Sequence, residues 1–288
     1  MKLSHPVLNT MAFAIALSTA CLAEASPYAY ADIAFTNLTL TGLASGTISG
    51  ATVTSSSSAD YPGAPPDAHS ASGTLATGSD TLQSFSGPGP FPGQNIFTQA
   101  LLGSYGTRGD ARTTGDLQNG TSPVTADAVA EGRLQVPGAG TSAASAAGTT
   151  TGFSFNFTTA APATLQLNFT AAEILKAFTT ATGEGASAQV NSSFTVKFNN
   201  AVLDVFSPDA LNAAVSADVA GLAQTHSTGP TNYAHTFALA RAGTYQFSFL
   251  TGAQERLSAP VPEPVPLALL GAGLLGFAAS RKRKSPTR

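Results

Sequence analysis

Phe153, Phe155 and Phe157 alternate with Ser154 and Asn156, and Leu165, Leu167 and Phe169 alternate with Gln166 and Asn168. The same period of two recurs in Phe194, Val196 and Phe198, and again in Phe247 and Phe249. Alternation of this kind marks strands with one buried and one solvated face. Shorter stretches at 33–41, 47–54, 202–206 and 233–239 add further strands. Gly- or Pro-rich breaks separate most of them. A turn at Ala242-Gly243 leads through Thr244 and Tyr245 into the last aromatic strand, an entry typical of late strands in sandwiches. Many short antiparallel strands predict an all-β body, a β-sandwich or jelly-roll-like domain.

Two segments break the period. Thr170 followed by Glu173 reads as a capping box before Ile174, Leu175 and Phe178, which predicts one short helix ending near Gly183. A weaker helical turn is expected within 208–223, where Pro208 suits a first-turn position. Between residues 54 and 148 apolar positions are sparse. Ser55-Ser56-Ser57-Ser58, the prolines at 62–66 and Gly87-Pro88-Gly89-Pro90 act as breakers there. Long Gly/Ser/Pro-rich loops with short strands are expected over that stretch, and no fixed-period repeat is present.

The two ends differ from the body. Lys2 and His5 precede an uncharged stretch at 7–22 with an apolar centre, followed by Ala23-Glu24-Ala25. This is the layout of a signal peptide over residues 1–25, with cleavage between Ala25 and Ser26. A later cut after Ala29-Tyr30-Ala31 fits the same rule. Cys21 invites a lipoprotein reading, but Leu17 lies one place too far upstream for a good lipobox. At the other end Val261-Pro262-Glu263-Pro264 precedes an apolar run at 265–279 and the cluster Arg281-Lys282-Arg283-Lys284. The prolines keep their segment extended and open to a processing enzyme. As a helix, 267–280 would span about 21 Å against a hydrocarbon core of about 30 Å. It is a marginal, transient span whose basic cluster stays cytoplasmic. The expected domains are thus 1–25, a β-rich body at 26–260, and a tail at 261–288.

Charge reinforces this layout. The chain has 288 residues, of which only 10% are charged, and a net charge of −3. Five of its 13 basic residues fall in the last eight positions, whereas 26–260 holds seven basic and 14 acidic residues, about −7. An acidic body offers no electrostatic case for nucleic acid. A single Cys excludes a disulfide framework and a cysteine-based metal site.

The tail resembles the PEP-CTERM sorting signal of Gram-negative bacteria. The resemblance rests on Pro262-Glu263-Pro264, the apolar run and the basic cluster, in that order, and covers about 28 residues. It implies recognition by an exosortase, a membrane cysteine protease-transpeptidase, after transient insertion in the inner membrane. It also implies a final place at the cell surface or in an extracellular matrix, in the setting of exopolysaccharide and biofilm. An ordinary membrane anchor is the plain alternative. Leu101 to Arg112, with Arg108-Gly109-Asp110-Ala111, and the late Gly-Thr-Tyr strand look like the PEP-CTERM subgroup called EDSAP-1, for which no activity carries over.

Candidate chemistry in the body is thin. His69, His226 and His235 lack metal spacing and read as surface or loop imidazoles. No Gly-x-Ser-x-Gly elbow and no privileged carboxylate pair is present. Asp110, Asp116, Asp127 and Glu131 read as solvated loop acids, with calcium as the alternative. Arg108-Gly109-Asp110 would need a protruding loop to act as an adhesion ligand, and reads instead as a structural turn. Asn37, Asn119, Asn156, Asn168 and Asn191 begin sequons that report Ser/Thr richness. No catalytic residue, metal or cofactor is assigned. The expected function is that of a non-enzymatic exported surface or matrix protein associated with extracellular polysaccharide. The alternative is a carbohydrate-binding module or adhesin, favoured by a Tyr-lined concave face.

Overall fold

Phe247 on strand β13 (Gly243–Ala259) lies opposite Phe155 on β7 (Ala143–Thr159) and opposite Val196 on β9 (Gly185–Phe198), so the alternating stretches pair side by side. The computed structural model describes residues 26–42, 48–74, 81–87, 97–100, 105–116, 122–135 and 143–260. Around this central trio, β2 (Ile48–Asp60) and β3 (Asp67–Gly73) extend one flank, and β10 (Ala201–Phe206) and β11 (Ala214–Ala217) pair with β9 on the other. The second sheet runs in the order β12, β8, β1, β6, β5, β4. Its strands are β12 (Ala223–Leu239), β8 (Ala163–Phe178), β1 (Tyr28–Thr41), β6 (Ser122–Arg133), β5 (Gly106–Asp116) and β4 (Thr81–Ser86). Both sheets are antiparallel, and they pack face to face as a sandwich, as the alternation predicts.

The interior has two unlike halves. In one, Phe35, Phe169, Phe194 and Phe249 interlock with ring centroids 4.7–6.1 Å apart. Phe153, Phe155 and Phe247 continue this cluster. In the other half the inward positions are small or hydroxylated: Ala147, Thr149 and Thr151 on β7, Ser55 and Ser57 on β2. Hydroxyls there bond across the strands, Ser55 to Thr151 at 2.7 Å and Thr113 to Thr151 at 2.5 Å. The sheets come close at this end. A Cβ on Gly109 would sit 3.0 Å from the Ser58 carbonyl oxygen and 3.1 Å from that of Gly148. Bulky rings thus hold one half of the sandwich open, and hydroxyls and glycines let the other half close.

Three sequence expectations are corrected here. The segment read as a short helix is the second half of β8, which is paired on both sides, to β1 and to β12. The supposed capping residues serve the strand instead: Thr170 donates to Asn232 Oδ1 and Glu173 meets His226. Ladder bonds on both edges, with Leu175 and Ala177 facing inward, outweigh a local helix signal. The weaker turn at 208–223 contracts to a three-residue 3-10 turn, Asp209–Leu211, followed by β11. Finally, much of the expected loop region is strand. Ser55–Ser58 lie within β2, where their hydroxyls bond to β7 and β4. The break at 62–66 does make the β2–β3 turn.

Candidate functional site

Charged side chains recur with period two on β5 and β6, and the register places opposite charges across the ladder: Arg108 faces Glu131 and Arg112 faces Asp127. These residues share the outer face of their sheet with Tyr28, Tyr30 and Asp32 of β1. Arg108 is fully buried. Its Nε donates to Glu131 Oε2 at 2.9 Å, a second guanidinium nitrogen pairs with Asp110, and a third donates to the Thr98 carbonyl at 2.6 Å. Tyr28 donates to Glu131 at 2.7 Å, and the Ala100 N–H donates to both of its carboxylate oxygens. Phe97 stacks on the Arg112 guanidinium, 4.5 Å from ring centroid to Cζ, and packs on Tyr28, Tyr30 and Val129. The segment 97–100 therefore straps a polar network onto the sheet. Burial pushes the Tyr28 and Tyr30 hydroxyls well above the usual phenol range, and pushes Asp32 up to about 7.

This geometry overturns two expectations. Asp110, Asp116, Asp127 and Glu131 lie on strands rather than in solvated loops, and the first, third and fourth are paired with arginine. Among the described residues no group of three His, Cys, Asp or Glu is placed to hold a metal ion. Arg108-Gly109-Asp110 lies buried in mid-strand and not in the structural turn expected of it, because Arg108 and Asp110 point to the strapped face and Gly109 to the close sheet contact. The histidines are likewise on strands, each bonded to a carboxylate: His226 to Glu173 at 2.7 Å, His235 to Asp204 at 3.0 Å, His69 to Asp67 at 2.8 Å. His235 on β12 and Asp204 on β10 join the two sheets at one open side, with the imidazole stacked on Phe206. Burial raises Glu173 while His226 pulls it back down.

The chemistry the sequence assigns to the chain lies at its ends, and the fold gathers those ends. Strand β1 starts at Tyr28, opposite Phe178, and β13 finishes at Ala259, one step beyond the pairing of Ser258 with Gly185. Both are therefore beside the turn that joins β8 to β9. The Ser26 N–H donates to Thr180 Oγ1 at 3.0 Å, and Pro27 accepts from the Leu134 N–H at 3.1 Å. Pro260 packs on the same turn: a Cβ on Gly183, where φ is +85°, would meet its ring at 3.2 Å. Glu184 organises the turn. Its buried carboxylate accepts from the N–H groups of Thr180 at 2.5 Å and Ala181 at 2.9 Å, and from the Thr180 hydroxyl.

Of the sequence-predicted site, Ser26 is thus placed, and Ala25, Pro262, Glu263, Pro264, Arg281, Lys282, Arg283 and Lys284 lie outside the described residues. So do the signal peptide and the apolar run. Among the described residues no helix is long and apolar enough to cross a membrane. A model of the PEP-CTERM protein-sorting motif matches residues 260–284. The tail is a PEP-CTERM sorting motif. It begins at Pro260, the residue that rests on the β8–β9 turn, so the motif adjoins the last strand without a spacer. Such a motif implies an exported protein of Gram-negative bacteria, sorted toward the cell surface and processed by an exosortase. No curated protein and no solved structure matches the chain. Sequence reasoning missed Thr180, Gly183 and Glu184. A glycine flanked by Thr and Glu between two alternating runs is a turn signal, but the helix reading absorbed it.

Proposed function

We propose that this chain is a non-enzymatic surface or extracellular-matrix protein of a Gram-negative cell. It is freed from its signal peptide before Ser26, held briefly in the inner membrane by the tail, and released by an exosortase at Pro262-Glu263-Pro264 into an exopolysaccharide-rich matrix. The observation that carries this reading is the meeting of Ser26 and Pro260 on one turn. A signal segment and a tail with cytoplasmic basic ends both emerge on the outer side of the same membrane. Strands of up to 17 residues make the sandwich roughly 50 Å tall. Ends at opposite poles would force one segment to run back over that distance. Here both leave from one pole, and the body stands on the membrane by it.

The body supports a structural role. The buried charges of β5 and β6, Arg108 with Asp110 and Glu131, are engaged in pairs that hold strands and strap together. A shallow crevice of about 610 Å³ lined by Asp60, Asp218 and Arg256 has Ala, Ser, Gly and Leu for its other walls and no aromatic side chain among its described lining. Tyr28, Tyr30 and Tyr245 are buried, so they form no platform for sugar rings. The outer face of the β7 sheet carries few charges, with Asp60, Lys197 and Arg256 set among hydroxyls and amides. Thr52 bonds Ser154 and Ser56 bonds Thr150 across it, and Gln189 bonds Gln254. Such a face of hydroxyls and amides hydrogen-bonds to hydrated polysaccharide without needing a deep site. Deleting the exosortase and fractionating the cells tests the reading. The protein should move from the matrix to the inner membrane, and in the wild type it should co-sediment with exopolysaccharide. An unchanged distribution would count against it.

A further inference from the structure

We propose that the β8–β9 turn is the seat of the mature N-terminus: Glu184, through Thr180, receives the α-ammonium group created when the chain is cut before Ser26. The inference rests on the export reading for the position of the cut. Three observations carry it.

First, Glu184 is 1% exposed, and among the described residues its partners are only the turn's own N–H groups and hydroxyl. Among the described residues no cation pairs with its charge, which is a costly state for a buried carboxylate. Second, the Ser26 nitrogen lies one hydroxyl away. It donates to Thr180 Oγ1 at 3.0 Å, and that oxygen donates to Glu184 at 3.1–3.2 Å. Before cleavage this nitrogen is a neutral amide with one proton to give. Hydrolysis of the Ala25–Ser26 bond leaves a carboxylate on the departing segment and an ammonium with three donors on Ser26. The charge that Glu184 lacks then appears at a nitrogen already bonded to the hydroxyl that Glu184 holds. Third, Ser26 is only 7% exposed and is held on its other side, where Arg133 Nε donates to its hydroxyl at 3.1 Å.

The charged groups around the seat are few. Glu184 attracts the ammonium from the turn, and Arg133 on β6 opposes it from across the strand. Asp218 lies farther off, in the crevice that also contains Gly185 and Ser258. Glu184 is fully buried whereas Arg133 is half-buried, so the carboxylate is the less screened of the two and the ammonium is favoured. Its pKa should rise above the ordinary value of about 8 by about one unit. The stabilisation is then complete below pH ~8 and is lost as pH rises through the raised value. Because Pro260 packs on the same turn, ordering this turn also fixes the point from which the tail leaves.

The test uses the protein as the cell processes it. Mass spectrometry of full-length chain expressed in an exporting host first reads the N-terminus. A start at Ser26 supports the export reading, a start at Asp32 overturns the seat while leaving export standing, and an uncleaved N-terminus overturns both. The α-amine of the processed protein is then titrated by NMR after isotopic reductive methylation, in the wild type and in Glu184→Gln, which keeps an acceptor for the turn. The wild-type amine should titrate about one unit above that of Glu184→Gln. As a second measure, acetylating the α-amine of the wild type should lower Tm at pH 7 and leave Glu184→Gln unchanged. Equal titration in the two proteins, or equal loss of Tm on acetylation, would overturn the seat and leave the export reading standing.

Discussion

Glu255 shows how a single residue is tuned by its neighbours. It points from β13 between the sheets at the thin end, where a Cβ on Gly132 would fall 2.6 Å from its carboxylate. Only glycine there leaves it room. Among the described residues neither of its oxygens has a full hydrogen bond, and the Ala147 backbone only partly offsets the burial. Burial pushes its carboxyl up to about 8, and the nearby Glu131 charge adds to the rise. The sign follows from proton binding. Between the ordinary value near 4.5 and about 8, the folded chain holds a proton that the unfolded chain has released. Stability therefore falls as pH rises through that window, by up to about 1.4 kcal/mol per unit. Asp32, raised to about 7, acts in the same direction. Glu255→Gln should lose much of the decline between pH 5 and 8 in denaturant unfolding; slopes equal to wild type would refute the assignment. Little of this was legible in the sequence. The charges of β5 and β6 read as loop acids because their small neighbours carry no strand signal, and partners such as Gly132 and Glu255 are joined only by packing between sheets. Tyr245 is the opposite case: its predicted turn is closed by its hydroxyl, which donates to the Arg241 carbonyl at 2.7 Å.

At the scale of elements, the strands with strict alternation of large apolar residues were all legible: β7, β8 in its first half, β9 and β13. Those that failed to stand out bury Ser, Thr, Gly and charged pairs, which carry no hydrophobic signal. The second half of β8 shows why. Ile174 and Phe178 are the apolar residues that suggested a helix face, yet they lie on the outer surface of the sheet at 36% and 39% exposure. The true inward residues are Ala171, Glu173, Leu175 and Ala177. Only pairing with β1 and β12 distinguishes the two readings. The two halves of the interior should also respond differently to substitution. Phe249→Ala removes the ring that touches Phe35, Phe153 and Phe194, and should cost about 3–5 kcal/mol. Gly109→Ala adds one carbon where Thr149 Cγ2 would stand 2.9 Å away, and should cost about 1–3 kcal/mol by forcing the sheets apart. Urea midpoints measure both. A neutral Gly109→Ala would show that the thin half is not tightly closed.

For the molecule as a whole, the proposed function makes the sandwich a body carried between two processing sites. The order of signals at the ends was readable because each depends on local composition. That the ends meet was not readable, since it follows from β1 and β13 lying in different sheets yet having their outer termini beside one turn. This arrangement gives the tail a defined origin and leaves Pro262-Glu263-Pro264 two residues beyond the folded edge at Pro260. On the proposed reading the apolar run and basic cluster would suffice for insertion and orientation, whereas the protease would read the proline-bounded segment, which proline biases toward extension. The most direct measurement is the ratio of intact to trimmed C-termini, read by mass spectrometry of fractionated cells, for wild type and for Glu263→Ala and Pro264→Ala. The variants should accumulate in the inner membrane with peptides spanning Arg281–Lys284 intact, while wild type reaches the surface without them. Variants trimmed and released like wild type would contradict the proposed processing.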